Sequence, residues 1–175
     1  MRDDGKRNVL GIMVNVIDYD AAVEKILAAA HSRQAFTVSA LAVHGVMTGA
    51  LDPTHCFRLN QLDLVVPDGQ PVRWALNWAH GAKLRERVYG PELMLRVCER
   101  AAREQVPVFL FGGSAELLST LQRSLRARFP QLIIAGVRPS RFRAMTSEEE
   151  LNLAEEINRS GAGIVLVGLG CPRQE

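Results

Sequence analysis

Leu62-Asp63-Leu64-Val65-Val66-Pro67-Asp68-Gly69-Gln70-Pro71 decides how the rest of the chain is read. Its apolar run with two adjacent valines predicts a buried strand over Leu62–Pro67. Pro67 has no N–H to give a ladder, and the Asp-Gly pair after it favours a turn. From Gln70 to His80 the spacing is helical. A strand that passes into a helix through a short polar turn is the repeating unit of α/β proteins. In such sheets, ligands collect beyond the carboxyl ends of the strands. Asp68 is expected at such an end, with Gln70 beside it; an ordinary Pro-Asp-Gly turn is the other use of these residues.

The alternation continues in both directions. Val9–Val16 and Ala35–Ser39 are expected strands upstream, with Asp20 as N-cap of the helix between them and a helical stretch from Leu41. Trp74 and Trp78 lie four apart on the Gln70–His80 helix and are expected in the core, with a membrane-facing role as the alternative. Pro91 suits the first turn of a helix with Met94, Val97, Cys98 and Ala101 inward. Pro107–Phe111 is the next strand, and the helix after it carries Leu117, Leu118, Leu121 and Leu125 on one stripe. Leu132–Val137 follows. Thr146 and Glu149 spell a capping box, and Gly161 ends that helix. Ile164–Val167 is the last strand. The pattern predicts one α/β domain over residues 1–175, a Rossmann-like, mainly parallel sheet flanked by helices. A helix started at Pro172 has no body to pack, so the natural fold is expected to continue past Glu175.

At 175 residues, 47% of them hydrophobic, the chain is long enough to bury a real core. A net charge of +2 makes no case for nucleic acid. Arg123, Arg126, Arg128, Arg138, Arg141 and Arg143 cluster, either toward phosphates and anionic lipid or as a solvated surface. Three scattered cysteines and four histidines show no disulfide or metal-ligand spacing, so reduced thiols in a cytoplasmic setting are expected. The N-terminus is neither a signal peptide nor a membrane span.

Two glycine turns follow strands, Gly112-Gly113 and Gly168-Leu169-Gly170. Each is suited to a phosphate, because glycine lets backbone N–H groups approach an anion; a tight structural turn is the equal alternative at Gly112-Gly113. Neither matches a dinucleotide fingerprint. Arg173 and Gln174 follow the second turn, where they can meet a base, ribose or phosphate. Arg85 and Arg87 precede the Gly90-Pro91 helix start and suit a diphosphate, or pair locally with Glu86 or Glu92. Thr37 and Ser39 are expected on the same face as Asp68.

Taken together, Thr37-Val38-Ser39-Ala40, Asp63 to Gly69, Arg87 to Leu93, Val108 to Gly113 and Gly168 to Glu175 give a chain that resembles the WecG/TagA/CpsF family of bacterial glycosyltransferases. The resemblance runs from Val9 to Glu175. It implies transfer of a sugar from a UDP donor, often UDP-N-acetylmannosamine, to a polyprenyl-diphosphate-linked acceptor in cell-surface polysaccharide or teichoic acid synthesis. It implies no cofactor, a cytoplasmic enzyme in peripheral contact with the inner membrane face, and a homo-oligomer as one possible state. It also implies Asp68 as catalytic base, with Thr37, Arg87 and Gln174 at matching pocket positions. Many members carry Asn where this chain has Ser39, which bears on the donor sugar. The resemblance also implies a C-terminal segment beyond Glu175, which in the family carries basic residues that assist the leaving group and itself assists membrane contact.

Base catalysis by Asp68 would activate an acceptor hydroxyl on one face of the anomeric carbon while UDP leaves from the other, inverting the configuration. With no Asp-x-Asp triplet expected to hold a divalent metal on the diphosphate, charge on UDP would fall on arginines, backbone N–H groups and helix dipoles. Metal independence is therefore expected. A non-catalytic nucleotide-binding or assembly module, and a Rossmann-type oxidoreductase, are the rival functions.

Overall fold

The computed structural model describes residues 1–141 and 143–174, so Glu175, the end of the last signature, lies outside it. The elements are β1 (Asp3–Val9), β2 (Ile12–Ile17), α1 (Tyr19–Ser32), β3 (Val38–Leu41), α2 (Val43–Leu51), α3 (Pro53–Gln61) and β4 (Leu64–Pro67), then α4 (Gln70–His80), α5 (Gly90–Arg103), β5 (Val108–Gly112), α6 (Ala115–Arg128), β6 (Ile134–Arg138), α7 (Ser147–Ser160) and β7 (Ile164–Gly168). β3 pairs parallel with β4, and β5 lies between β6 and β7, parallel to both. This is the expected Rossmann-like α/β fold, with parallel sheets flanked by helices.

The expected strand Val9–Val16 is found from Ile12 onward as β2, but Leu10 and Gly11 are the turn of an antiparallel hairpin that pairs it with β1. Leu10 and Gly11 both take positive φ (53° and 92°), the backbone of a two-residue hairpin loop that matches strand twist. β1 escaped notice because Asp3, Asp4, Lys6 and Arg7 give it no apolar alternation. The hairpin is tied to its neighbours by side-chain amides. Asn60 donates to the Gly11 carbonyl (2.9 Å) and accepts from the Met13 N–H (2.8 Å), while the buried Asn15 accepts from the Val65 N–H of β4 (2.9 Å).

Helix α1 is capped by Asp18, whose carboxylate accepts from the Ala21 N–H (2.9 Å); Asp20 sits inside the first turn. The second strand runs Val38–Leu41 rather than Ala35–Ser39, and the third begins at Leu64 rather than Leu62. α4 has the expected bounds but the opposite orientation. Val72 and Leu76 are buried, whereas Trp74 is 57% and Trp78 93% exposed. Both pairs have i,i+4 spacing, and the aliphatic one won the core. In α6, Leu118 and Leu125 are buried, Leu121 is half-buried and Leu117 faces out. The Thr146–Glu149 capping box and the Gly161 C-cap are as expected. Half of the arginine cluster is engaged by carboxylates: Arg138 with Glu156, and Arg141 and Arg143 with Glu149. The helix expected at Pro172 is a turn over residues 171–174.

The β3–β4 layer is covered on both sides. Leu64 and Val66 join α1 and α5 in one core, while Leu41 and Val65 join Val14, Val16, Leu59, Val72 and Leu76 in another. β5 alternates in the same way: Val108 and Leu110 enter the first core, and Phe109 and Phe111 meet Leu153 of α7. Each such side chain contributes roughly 1.5–3 kcal/mol when fully buried. The outcome is a set of buried strands, of which β3, β4 and β5 pass into the next helix through one or two residues. Among the described residues, no helix is long and apolar enough to cross a membrane.

Candidate active site

Asp68 stands one residue past β4, as its sequence predicts. Its N–H donates to the carbonyls of Leu41, the last residue of β3 (3.1 Å), and Val66 (3.0 Å), so the turn is closed onto the sheet end. Gly69 at φ 85° then swings the chain into α4, whose N-cap makes no side-chain hydrogen bond. One carboxylate oxygen of Asp68 accepts from the Gly90 N–H at 3.2 Å, and Gly90 opens α5. The carboxylate therefore lies beside two helix N-termini, each bringing partial positive charge.

Sequence reasoning missed Gly90 and the device that holds it. A Cβ on Gly90 would lie 3.1 Å from Ala40 Cβ and 3.5 Å from Asp68 Oδ2, so glycine admits the close approach. The Val88 N–H donates to the Pro67 carbonyl (2.9 Å), and the Tyr89 N–H donates to the Tyr19 hydroxyl (2.8 Å). Tyr19 is buried, and burial above all raises its phenol pKa, which keeps the hydroxyl protonated. Gly-Pro at a helix start was the available sign of this loop; nothing in the sequence marked Tyr19.

Arg87 belongs to the same loop, its guanidinium 4.5 Å above the Tyr89 ring, and it is half-buried at the rim. Gln70 is exposed at the first position of α4, two residues from Asp68. Asp68 and Gln70 thus share one turn, and Arg87 is carried on the loop whose Val88 N–H bonds the Pro67 carbonyl just before it.

Thr37 and Ser39 are not at this turn. The expectation placed them at the end of their strand, but Thr37 precedes Val38, the start of β3. The register pairs Leu41, not Ser39, with Pro67. Thr37 is thus about 13 Å down the strand from the carboxyl end, at ~3.3 Å per residue. It has another task there. Its N–H and hydroxyl both donate to Asp63 Oδ2 (2.7 and 2.8 Å), and its Oγ1 accepts from the Asp63 N–H (3.1 Å). Those bonds hold the Asp63 carboxyl below its ordinary pKa and fasten the amino ends of β3 and β4. Ser39 is buried in mid-strand, and Leu41 is the β3 residue whose carbonyl meets the Asp68 N–H.

The chain does contain one Asp-x-Asp triplet, Asp18-Tyr19-Asp20. Asp18 is used as the α1 cap, and Asp20 lies 3.7 Å from Arg96. No group of three His, Cys, Asp or Glu side chains suited to a metal ion occurs among the described residues.

The glycine turns form a second group. Gly112 ends β5 opposite Gly168 of β7, at φ 117°. A Cβ there would sit 2.4 Å from the Gly168 carbonyl oxygen, so strand approach alone demands glycine. Beyond it, Gly113, Gly168, Met94, Leu117 and Leu121 line an apolar hollow of about 130 Å³. The Gly170 N–H donates to Gln174 Oε1 (3.1 Å), and Cys171 Sγ comes within 3.6 Å of where a Gly45 Cβ would be. The second turn thus reaches the start of α2, just past the end of β3. A wider groove of about 400 Å³ lies between α1 and α5, where Asp20, Glu24, Glu92, Arg96 and Arg100 pair with one another. Its charges serve each other, and it holds none of the expected site residues.

A carboxylate held by a helix N-terminus at the end of the β3–β4 sheet, an arginine on the loop bonded to that strand end, and glycine turns at the carboxyl ends of β5 and β7 in the other parallel sheet are features suited to group transfer from an anionic donor. The sequence model of the glycosyl transferase WecG/TagA/CpsF family matches residues 7–175, and the chain belongs to that family.

Proposed function

We propose that the protein is an inverting glycosyltransferase that moves a sugar from a UDP donor to a polyprenyl-diphosphate-linked acceptor at the inner membrane face. The observation that carries this is Asp68, a carboxylate fixed on the strand-end rim by the Gly90 N–H at 3.2 Å in a chain of this family. Asp68 takes the proton of the acceptor hydroxyl as its oxygen attacks the anomeric carbon. The bond from that carbon to the donor phosphate oxygen breaks on the opposite face, and its electron pair leaves with UDP. Arg87 and the N-terminus of α4 supply positive charge for the departing diphosphate. The hollow at Gly113 and Leu117 is small, and suits one planar ring rather than a whole nucleotide sugar.

The test is a mass-spectrometric transfer assay with a panel of UDP-sugars, a short-chain lipid-diphosphate-GlcNAc acceptor and an Asp68→Asn control. Product is expected from one donor, falling roughly 10²–10⁴-fold in the control and persisting in EDTA. A control rate within about threefold of the parent removes Asp68 as base. Activity abolished by EDTA refutes metal independence. UDP binding without transfer to any acceptor supports a nucleotide-binding module instead.

A further inference from the structure

We propose that the outer face of α4, with Trp74 and Trp78 at its centre, docks on an anionic lipid surface. This rests on the lipid-linked acceptor proposed above and names the face that meets the bilayer. Trp74 and Trp78 each follow a buried residue, Val72 and Leu76, by two positions, about 200° around the helix. The helix therefore turns aliphatic side chains inward and two indoles outward, 57% and 93% exposed. An indole joins a broad apolar body to one N–H donor, the chemistry that settles at the level of lipid headgroups.

Cations border this face. After α4 the chain folds back along it: Arg73 donates to the carbonyls of Leu84 (3.0 Å) and Arg85 (2.9 Å), and Asn77 exchanges hydrogen bonds with both backbone groups of Leu84. The returning stretch carries Lys83, Arg85 and Arg87 against the single carboxylate of Glu86. Lys83 and Arg85 are exposed. Indoles rimmed by cations complement anionic headgroups over an apolar layer. A second copy docked on the same face about a two-fold axis would set these cations against their own kind. The placement also suits the chemistry. α4 begins two residues after Asp68, so indoles seated in the interface hold the strand-end rim at headgroup depth, where a lipid-linked diphosphate lies.

The chain has two tryptophans, and both stand here, so its intrinsic tryptophan emission reports this face alone. The protein is mixed with phosphatidylcholine vesicles, with and without 30 mol% phosphatidylglycerol (~30%, a usual anionic fraction). Emission is followed with acrylamide as quencher, and bound protein by flotation. The expected result is a blue shift, protection from quencher, binding to the anionic vesicles that weakens with salt, and at least tenfold weaker binding by Trp74→Ser/Trp78→Ser. That variant should keep the parental rate on a water-soluble, short-chain acceptor. No blue shift on anionic vesicles, or equal binding by the double variant, overturns the proposal. So does a dimer that dissociates in the variant, which would make the face a contact between copies. Failure of transfer by the parent would count against the proposed reaction, while the emission shift still decides the surface.

Discussion

Replacing Gly112 by alanine tests whether the meeting of β5 and β7 is as tight as their backbones indicate. The new Cβ would lie 2.4 Å from the Gly168 carbonyl oxygen and 2.6 Å from its carbon, both main-chain atoms that no rotamer change can move aside. The residue also holds φ 117°, which costs a side-chain-bearing residue about 1–3 kcal/mol. Forcing the strands apart adds an overpacking term of about 1–3 kcal/mol. The expected loss is therefore about 2–6 kcal/mol, a sizeable part of the 5–15 kcal/mol typical of a domain. For a chain of this size it should lower Tm by about 4–24 °C. Gly161→Ala is the matched control. It also has positive φ (73°), but open space surrounds its Cβ position, so it carries the conformational cost without the clash. Calorimetry on the two variants and the parent separates the terms. If Gly112→Ala melts within about 2 °C of Gly161→Ala, the close approach of β7 is wrong, and the glycine would be free to serve a bound phosphate instead.

Tyr19→Phe keeps the ring over which the Arg96 guanidinium sits (4.2 Å to its centroid) and removes the hydroxyl that holds the Tyr89 N–H. Transfer should slow about tenfold with UDP affinity unchanged, and in an Asp68→Asn background the second change should add nothing, since both act on one carboxylate. Burial pushes the Cys98 thiol up to about 11, so at pH 8 its thiolate fraction is on the order of 10⁻³. Ellman's reagent should therefore count two fast thiols in the native protein and the third only in denaturant. Hydrogen bonds from Arg143 and then the Thr146 N–H hold the Glu149 carboxyl at about 2, below its ordinary 4.5. A depressed pKa stabilises the fold above the ordinary value, and that contribution is lost as pH falls from about 4.5 through 2. Amide exchange at the start of α7 should rise in that window, and Glu149→Gln should flatten the rise.

Local chemistry was legible where a single residue sets a single bond. The Thr146–Glu149 box, the Gly161 cap and the Pro67-Asp68-Gly69 exit are of this kind. What failed was a choice between equals. Val72/Leu76 and Trp74/Trp78 have the same spacing on one helix, and periodicity cannot say which pair finds a neighbouring strand. Thr37 was misplaced because a strand of four residues shifted by three carries its first hydroxyl to the opposite end of the sheet. At the site, the carboxylate and the arginine could be read from residue type and position. Gly90 acts through a backbone N–H, of which the Gly-Pro helix start was only an indirect sign, and Tyr19 acts through a contact 70 residues away in sequence, which leaves no local trace.

Asn15 gives the N-terminal hairpin a property that its valines cannot. Apolar alternation repeats every two residues, so β2 could slide along β4 by that step and still bury Val14 or Val16. The amide of Asn15 removes this freedom. Its oxygen meets the Val65 N–H in one alignment, and a two-residue slip would put Met13 or Ile17 there, leaving that donor buried without an acceptor at about 1–3 kcal/mol. The amide works as a key, distinguishing the native docking of the hairpin from near-copies that the hydrophobic effect alone would accept.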